Sequence, residues 1–262
     1  MEQTREIHPG MGLRTMYDML EPEGIGRDAF IALGLQEGFR LIAIEKQVRT
    51  TYSVKSNRYK NLLVGKRFTD VNQIWSSDIT YLYVLEKFYY IVMIMDVYSR
   101  RIIGYSIADN MRAENNFAAL KMALTLRGIT DYHKQLIHHS DKGTQYASDI
   151  YTETLDDYGI LISMCNEVYE NTHIERVNET IKNQYLNRMV IKNENDLKQK
   201  VADVFYRYNE LRPHQSLNKM TPLEYEEKLK DIPGNKRTKL EIYTSILAQN
   251  QLDPNQLEMV FN

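Results

Sequence analysis

Three carboxylates stand in distinct local contexts along this chain. Asp78 lies in Trp75-Ser76-Ser77-Asp78-Ile79-Thr80-Tyr81, Asp141 in His139-Ser140-Asp141-Lys142-Gly143-Thr144-Gln145-Tyr146, and Glu175 in Tyr169-Glu170-Asn171-Thr172-His173-Ile174-Glu175. Acids on separate elements, with no cysteine or histidine ligand set around them, are what a protein needs to hold a hard, oxygen-seeking ion such as Mg2+ against phosphates. That chemistry is phosphoryl transfer on a nucleic-acid backbone. With 35 acidic residues in the chain, a single carboxylate is by default a solvated surface charge, so the contexts must carry the choice.

The elements that position the trio are legible around it. Asp78 falls in an apolar, aromatic run with Ile79, Tyr81, Leu82, Tyr83 and Val84. Strand alternation puts it on one face with Thr80 and Leu82, where an unpaired carboxylate is expensive. Asp141 follows the strand-like Leu136-Ile137-His138-His139 and sits in the turn-forming Ser140-Asp141-Lys142-Gly143. The carboxyl end of a strand is where open α/β sheets usually build their sites. Glu175 opens a helical pattern in which Ile174, Val177, Ile181 and Tyr185 form an apolar stripe. Lys182 lies seven residues, about two turns, beyond Glu175 and shares its face.

Together these segments resemble the DDE transposases of the IS-three family of bacterial insertion sequences, specifically the second-frame (OrfB-type) catalytic polypeptide with its integrase catalytic core. The resemblance also rests on Asp96-Val97-Tyr98-Ser99-Arg100-Arg101-Ile102-Ile103-Gly104, on Ser163-Met164, and on Tyr208-Asn209-Glu210-Leu211-Arg212-Pro213-His214 with Thr221-Pro222, in the right order across residues 50–228. The second and third acids are 34 positions apart, a couple fewer than is usual in the family; the shortfall lies between Met164 and Tyr169 and reads as a shortened loop.

The resemblance implies an α/β fold: a ribonuclease-H-like integrase core, a mixed five-stranded sheet with flanking helices, preceded by a small helical helix-turn-helix-like domain. It implies Asp78, Asp141 and Glu175 as catalytic ligands of two Mg2+ ions, with Mn2+ expected to substitute. Lys182, Arg176, Asn171 and Arg212 become the expected DNA contacts, Asn171 also helping to shape the site. The reaction would be Mg-dependent strand cleavage by water, then attack of the freed 3′-hydroxyl on another phosphodiester. The implied partners are insertion-sequence ends and target DNA, further copies of the chain in a synaptic complex, and an upstream-frame product or fusion partner. The implied location is the bacterial cytoplasm, on DNA. Asp96 becomes a structural partner of Arg100 or Arg101, and the Arg-Pro-His segment a packing element of the carboxyl-terminal helices whose Arg212 touches a phosphate.

Composition bounds these expectations. A length of 262 residues with 43% hydrophobic content suits one α/β core and a small accessory unit. The one cysteine, Cys165, excludes an internal disulfide framework and fits a reducing compartment. It also leaves His138 and His139 without the partners a zinc site needs, so they read as structural or as polar neighbours of Asp141. No zinc-binding amino-terminal module of the retroviral integrase type is evident. The longest apolar run, residues 89–95, is too short to span a bilayer, so no membrane is expected. The formal charge of −2 is low for a DNA-binding enzyme, but Lys55, Arg58, Lys60, Lys66 and Arg67 form a local basic stretch, while Glu153, Asp156 and Asp157 share an outer helix.

Four segments follow: a helical unit over residues 1–52, a basic linker over 53–70, the catalytic core over 71–228 and a tail over 229–262. In the first, Leu13, Met16, Tyr17 and Leu20 line one helical face and residues 27–33 form a second helix ending at Gly34. In the core, strands over 75–85, 88–96 and 101–108 form an antiparallel meander. Helix 113–127, strand 136–139, helix 149–158, strand 160–164 and helices 174–188 and 194–211 complete it. Ile91, Met93, Ile94 and Met95 are a buried strand core. Two other classes remain open at this stage: a catalytically silent DNA-binding regulator of transposition and a general ribonuclease-H-like nuclease.

Overall fold

The alternation around Asp78 builds the longest strand of the molecule, and the rest of the sheet is laid on it. The computed structural model describes residues 1–44, 58–130, 136–165 and 171–242. Lys55 of the basic stretch, the end of the first helical unit, the shortened loop with Tyr169, and the tail beyond residue 242 lie outside the described residues.

Three helices come first: α1 (Glu2–Ile7), α2 (Leu13–Leu20) and α3 (Arg27–Gln36). Met11, Leu13, Met16 and Phe30 make their small core. Contrary to expectation, Gly34 does not end α3, which runs on to Gln36. Its role is close approach: a Cβ at Gly34 would stand 2.6 Å from Leu13 Cδ2, so the glycine lets α2 press against α3.

After β1 (Arg67–Phe68), the strands β2 (Ile74–Val84), β3 (Lys87–Asp96) and β4 (Ile102–Ala108) form the antiparallel meander. Helix α4 (Ala113–Arg127) crosses to β5 (Ile137–Ser140), and α5 (Asp149–Asp157) crosses to β6 (Leu161–Met164). Both later strands run parallel to β2, giving one mixed sheet in the order β4-β3-β2-β5-β6. This is the ribonuclease-H-like arrangement. Helix α6 (Thr172–Thr180) continues through a π-helical turn, Ile181–Tyr185, and α7 (Glu194–Tyr206) through another, Arg207–Leu211. Helix α8 (Pro222–Lys230) starts from a capping box of Thr221 and Glu224, and β7 (Leu240–Glu241) returns to pair with β1.

Period two on β2 divides two apolar layers. Ile74 and Leu82 face α6 and α7 with Ile174, Val177, Ile181 and Val201, whereas Trp75 and Ile79 face α4 and α5 with Leu120, Tyr151 and Leu155. Gly104 on β4 allows α4 to lie directly on the sheet, since a Cβ there would be 2.2 Å from the Ala119 carbonyl. Among the described residues no helix is long and apolar enough to cross a membrane.

Asp96, at the end of β3, is fully buried, and its partners differ from those expected. Its Oδ2 accepts from the Asn72 amide at 2.7 Å and lies 3.3 Å from Arg127 Nη2. Arg101 pairs instead with Glu226 of α8 at 2.6 Å, and Arg127 grips both oxygens of Glu226 at 2.5 and 2.9 Å. Arg100 turns away into a separate cavity. The network ties α8 and the end of α4 to the sheet. Removing one partner of a buried pair strands the others, so Glu226→Ala should cost about 3–5 kcal/mol in denaturant unfolding. A loss below about 1 kcal/mol would mean that the network does not clamp these elements.

Candidate active site

The parallel register of β2 and β5 brings the first two acids together. Ser77 is paired with Ser140, so Asp78 and Asp141 are the next positions on neighbouring strands, whose axes lie about 4.8 Å apart. Beneath them the Ser77 hydroxyl is fixed by the Met93 carbonyl at 3.1 Å and by Tyr146 Oη at 2.9 Å. β5 ends at Ser140 and the chain turns at once: Asp141 Oδ1 accepts from the Gly143 amide at 3.0 Å, which orients an otherwise exposed carboxylate.

The third acid arrives on α6, which two asparagines pin to β2. Asn171 accepts from the Ser76 hydroxyl and donates to the Ser77 carbonyl at 3.1 Å. Asn178 Nδ2 donates to Asp78 Oδ2 at 2.6 Å. Glu175 lies one turn before Asn178 on the same helix face and is half-buried. Asn178 was not singled out from the sequence, although its i+3 spacing from Glu175 and i−4 spacing from Lys182 place it between them on that face.

Electrostatics bind the three into one site. The Asp78 carboxyl is pushed up to about 8, first by burial, then by the charge of Asp141 and, to a smaller extent, of Glu175, against hydrogen bonds from the Ile79 amide and Asn178. Burial also raises Glu175. The leading influences on Asp78 are burial, two carboxylates and two hydrogen bonds from neutral donors. Among the described residues no three His, Cys, Asp or Glu side chains stand close enough to make a finished ligand cluster. The acids are linked instead through Asp78, whose carboxyl both Asp141 and Glu175 raise. Their all-oxygen chemistry fits Mg2+.

Lys182 leans on the Tyr81 ring, its Nζ 4.3 Å from the centroid, three residues beyond Asp78 along β2. It is half-buried, its pKa lowered by that burial. Asn171 therefore stands at the strand that carries Asp78, and Lys182 lies farther along β2 against Tyr81, whereas Arg176 and Arg212 line a cavity on another flank of α6. His138 bonds Tyr151 Oη at 2.8 Å, and His139 bonds Ser163 Oγ at 2.9 Å and Cys165 Sγ at 3.1 Å, so both histidines brace β5, α5 and β6. Burial drives His138 down to about 3.

Comparison with known proteins supplies the family. Residues 69–168 and 162–222 match two family descriptions, both "Integrase core domain". The transposase for insertion sequence element IS629 of Shigella sonnei is 30% identical over 230 residues, which span 85% of this chain and 75% of that protein. The chain belongs to the IS-three family of DDE transposases. The IS600 31 kDa protein of Shigella sonnei is 30% identical over 86% of this chain and 84% of its own length. Transposase InsF for IS3A of Escherichia coli K12 is 29% identical over 74% and 68%. A chain of the simian T-cell lymphotropic virus intasome in complex with PP2A regulatory subunit B56 gamma shares the fold, with a TM-score of 0.53 at 14% identity, over 89% of the transposase and 80% of that chain. The transposase is thus an enzyme of DNA cleavage and strand transfer, which sets aside the silent regulator and the general nuclease.

The raised Asp78 has a stability consequence with a definite sign. Between its ordinary value of 3.8 and about 8, the folded protein holds a proton that the unfolded chain has released. The free energy of unfolding therefore falls as pH rises through that window. In a chelating buffer Asp78→Asn should melt higher than the unsubstituted transposase near pH 8, and the gap should close toward about pH 4. A gap independent of pH, measured by differential scanning calorimetry, would remove Asp78 as the source.

Proposed function

We propose that Asp78, Asp141 and Glu175 are the catalytic acids of this transposase and that they hold two Mg2+ ions for DNA strand cleavage and joining at the ends of an insertion sequence. The observation that carries this reading is the meeting of the three acids at Asp78, on adjoining positions of β2 and β5 with α6 bonded across, where burial first and then Asp141 and Glu175 raise its carboxyl. When bound, divalent ions would neutralise the acids and favour in-line displacement at phosphorus, with Mn2+ an expected substitute. The chain's own groups do the positioning. Asn178 holds Oδ2 of Asp78; Asn171 locks the start of α6 onto β2; the turn after β5 fixes the Asp141 carboxylate at the carboxyl end of that strand. Lys182, propped on Tyr81, supplies a cation for a phosphate next to the scissile one.

Insertion sequences named for the curated relatives support the choice of substrate. Joining requires two ends and a target, so we infer that several copies act together. A net charge of −2 and a short helical unit support an upstream-frame partner or fusion that supplies end recognition.

Asp78→Asn, Asp141→Asn and Glu175→Gln should each fold and lose cleavage and joining with Mg2+ by at least about 100-fold, a loss of ~3 kcal/mol or more in transition-state stabilisation. Full activity in any one would take that acid out of the site. Lys198, tied to Glu194 at 2.8 Å, is the control for Lys182. Lys182→Ala should reduce joining clearly more than Lys198→Ala, and equal small effects would return Lys182 to the solvated surface.

A further inference from the structure

Helix α6 carries a second functional flank. Glu175, Asn178 and Lys182 recur at i, i+3 and i+7 and face the acids, whereas His173, Arg176, Val177 and Thr180 recur at i, i+3, i+4 and i+7 about half a turn round. That second face lines a cavity of about 220 Å³, closed from other elements by Arg100, Arg212 and His214. Three guanidiniums therefore converge on one space, and no carboxylate lines it among the described residues.

Two buried polar atoms around this space lack partners. Arg212 is only 9% exposed, and its Nη1 is buried with no hydrogen-bond acceptor; His214 Nε2 is likewise buried and unsatisfied. Leaving a buried donor unmade costs about 1–3 kcal/mol, more for a charged group, so such atoms call for a ligand. Arg100 reaches the cavity from the turn between β3 and β4 with φ 64, a left-handed backbone that a side-chain-bearing residue rarely adopts. The local field is positive throughout. His173 is held down to about 4 by burial and then by Arg100 and Arg176, and His214 to about 3 by burial and then by Arg212, with Arg100 adding to it. Burial, with Arg176 adding to it, lowers even Arg100. A structural arginine cluster would be paired with acids, as Arg101 and Arg127 are with Glu226.

We propose that Arg100, Arg176 and Arg212 form an oxyanion site that grips one phosphate of the DNA backbone on the flank of α6 turned away from the catalytic acids. Planar guanidiniums match phosphate oxygens bidentately, and an anion would satisfy the buried Nη1 of Arg212. Arg176 is exposed, which opens the site to a polymer. A helix is about 10–12 Å across, close to the roughly 12 Å width of the major groove, so one duplex can touch both flanks. The proposal rests on the chain's action on DNA and is independent of the roles given to the three acids.

The test uses the full chain in EDTA, so the metal site plays no part. Thermal melts are run with increasing sulfate against chloride of matched ionic strength, and binding of a fluorescent mixed-sequence duplex is followed over a series of KCl concentrations. Unsubstituted protein and a Lys121→Gln control, altered on the far layer of the sheet, should show saturable stabilisation by sulfate. Arg176→Gln and Arg100→Gln should lose it. Each should also bind the duplex about tenfold more weakly, with a salt slope smaller by about one, and Arg176→Lys should recover part of both effects. Sulfate stabilisation that persists in both glutamine variants would overturn the site. Loss of the sulfate response with unchanged duplex affinity and slope would assign the cavity to a free anion and overturn the DNA phosphate.

Discussion

Like charges have to be held close together at Asp78, and much of the architecture follows from how that is done. A carboxylate half-buried on a strand costs free energy that its neighbours Asp141 and Glu175 increase. The parallel pairing of Ser77 with Ser140 sets the first contact, so a slip of one residue between β2 and β5 would turn Asp78 and Asp141 to opposite faces. The second contact is set by Asn171 and Asn178, neutral side chains that anchor α6 without cancelling the charge. A lysine in place of Asn178 would lower the repulsion at Asp78.

Helix α6 then acts as a partition between two fields. One flank carries the acids with Lys182 at their margin, and the other carries Arg100, Arg176 and Arg212. This separation explains how a chain with a formal charge of −2 can handle a polyanion: local fields near the contact matter more than the sum. The apolar stripe of Ile174, Val177, Ile181 and Tyr185 fixes the helix between the flanks, and His8 reinforces it through a 2.6 Å bond to Tyr185. Gly10 allows the amino-terminal helices to approach this place, since a Cβ there would be 2.3 Å from Gln184 Cα.

What the sequence revealed was whatever depends on periodicity. The alternation along β2 and β3, the helix over Ala113–Arg127 and the helix that carries Glu175 all follow from local spacing, and the structure has them. Contacts between distant segments were not legible. Asp96 finds Arg127 rather than its near neighbours Arg100 and Arg101, because the turn after β3 sends those two side chains elsewhere. Gly34 resembled a helix stop, yet its meaning depends on Leu13 across the helix pair. Arg212 was expected at a phosphate from the family resemblance alone, and its burial beside a cavity shared with Arg100 and Arg176 was not legible from spacing.

The central claim, that three carboxylates share one site suited to a divalent cation, is tested most directly at the Asp78 side chain itself. In metal-free protein the carboxyl carbon of Asp78 can be followed by NMR through a pH titration, assigned by its disappearance in Asp78→Asn. The account predicts a midpoint near 8 that moves to lower pH when Mg2+ is added. A midpoint near the ordinary aspartate value of 3.8, unmoved by Mg2+, would contradict it.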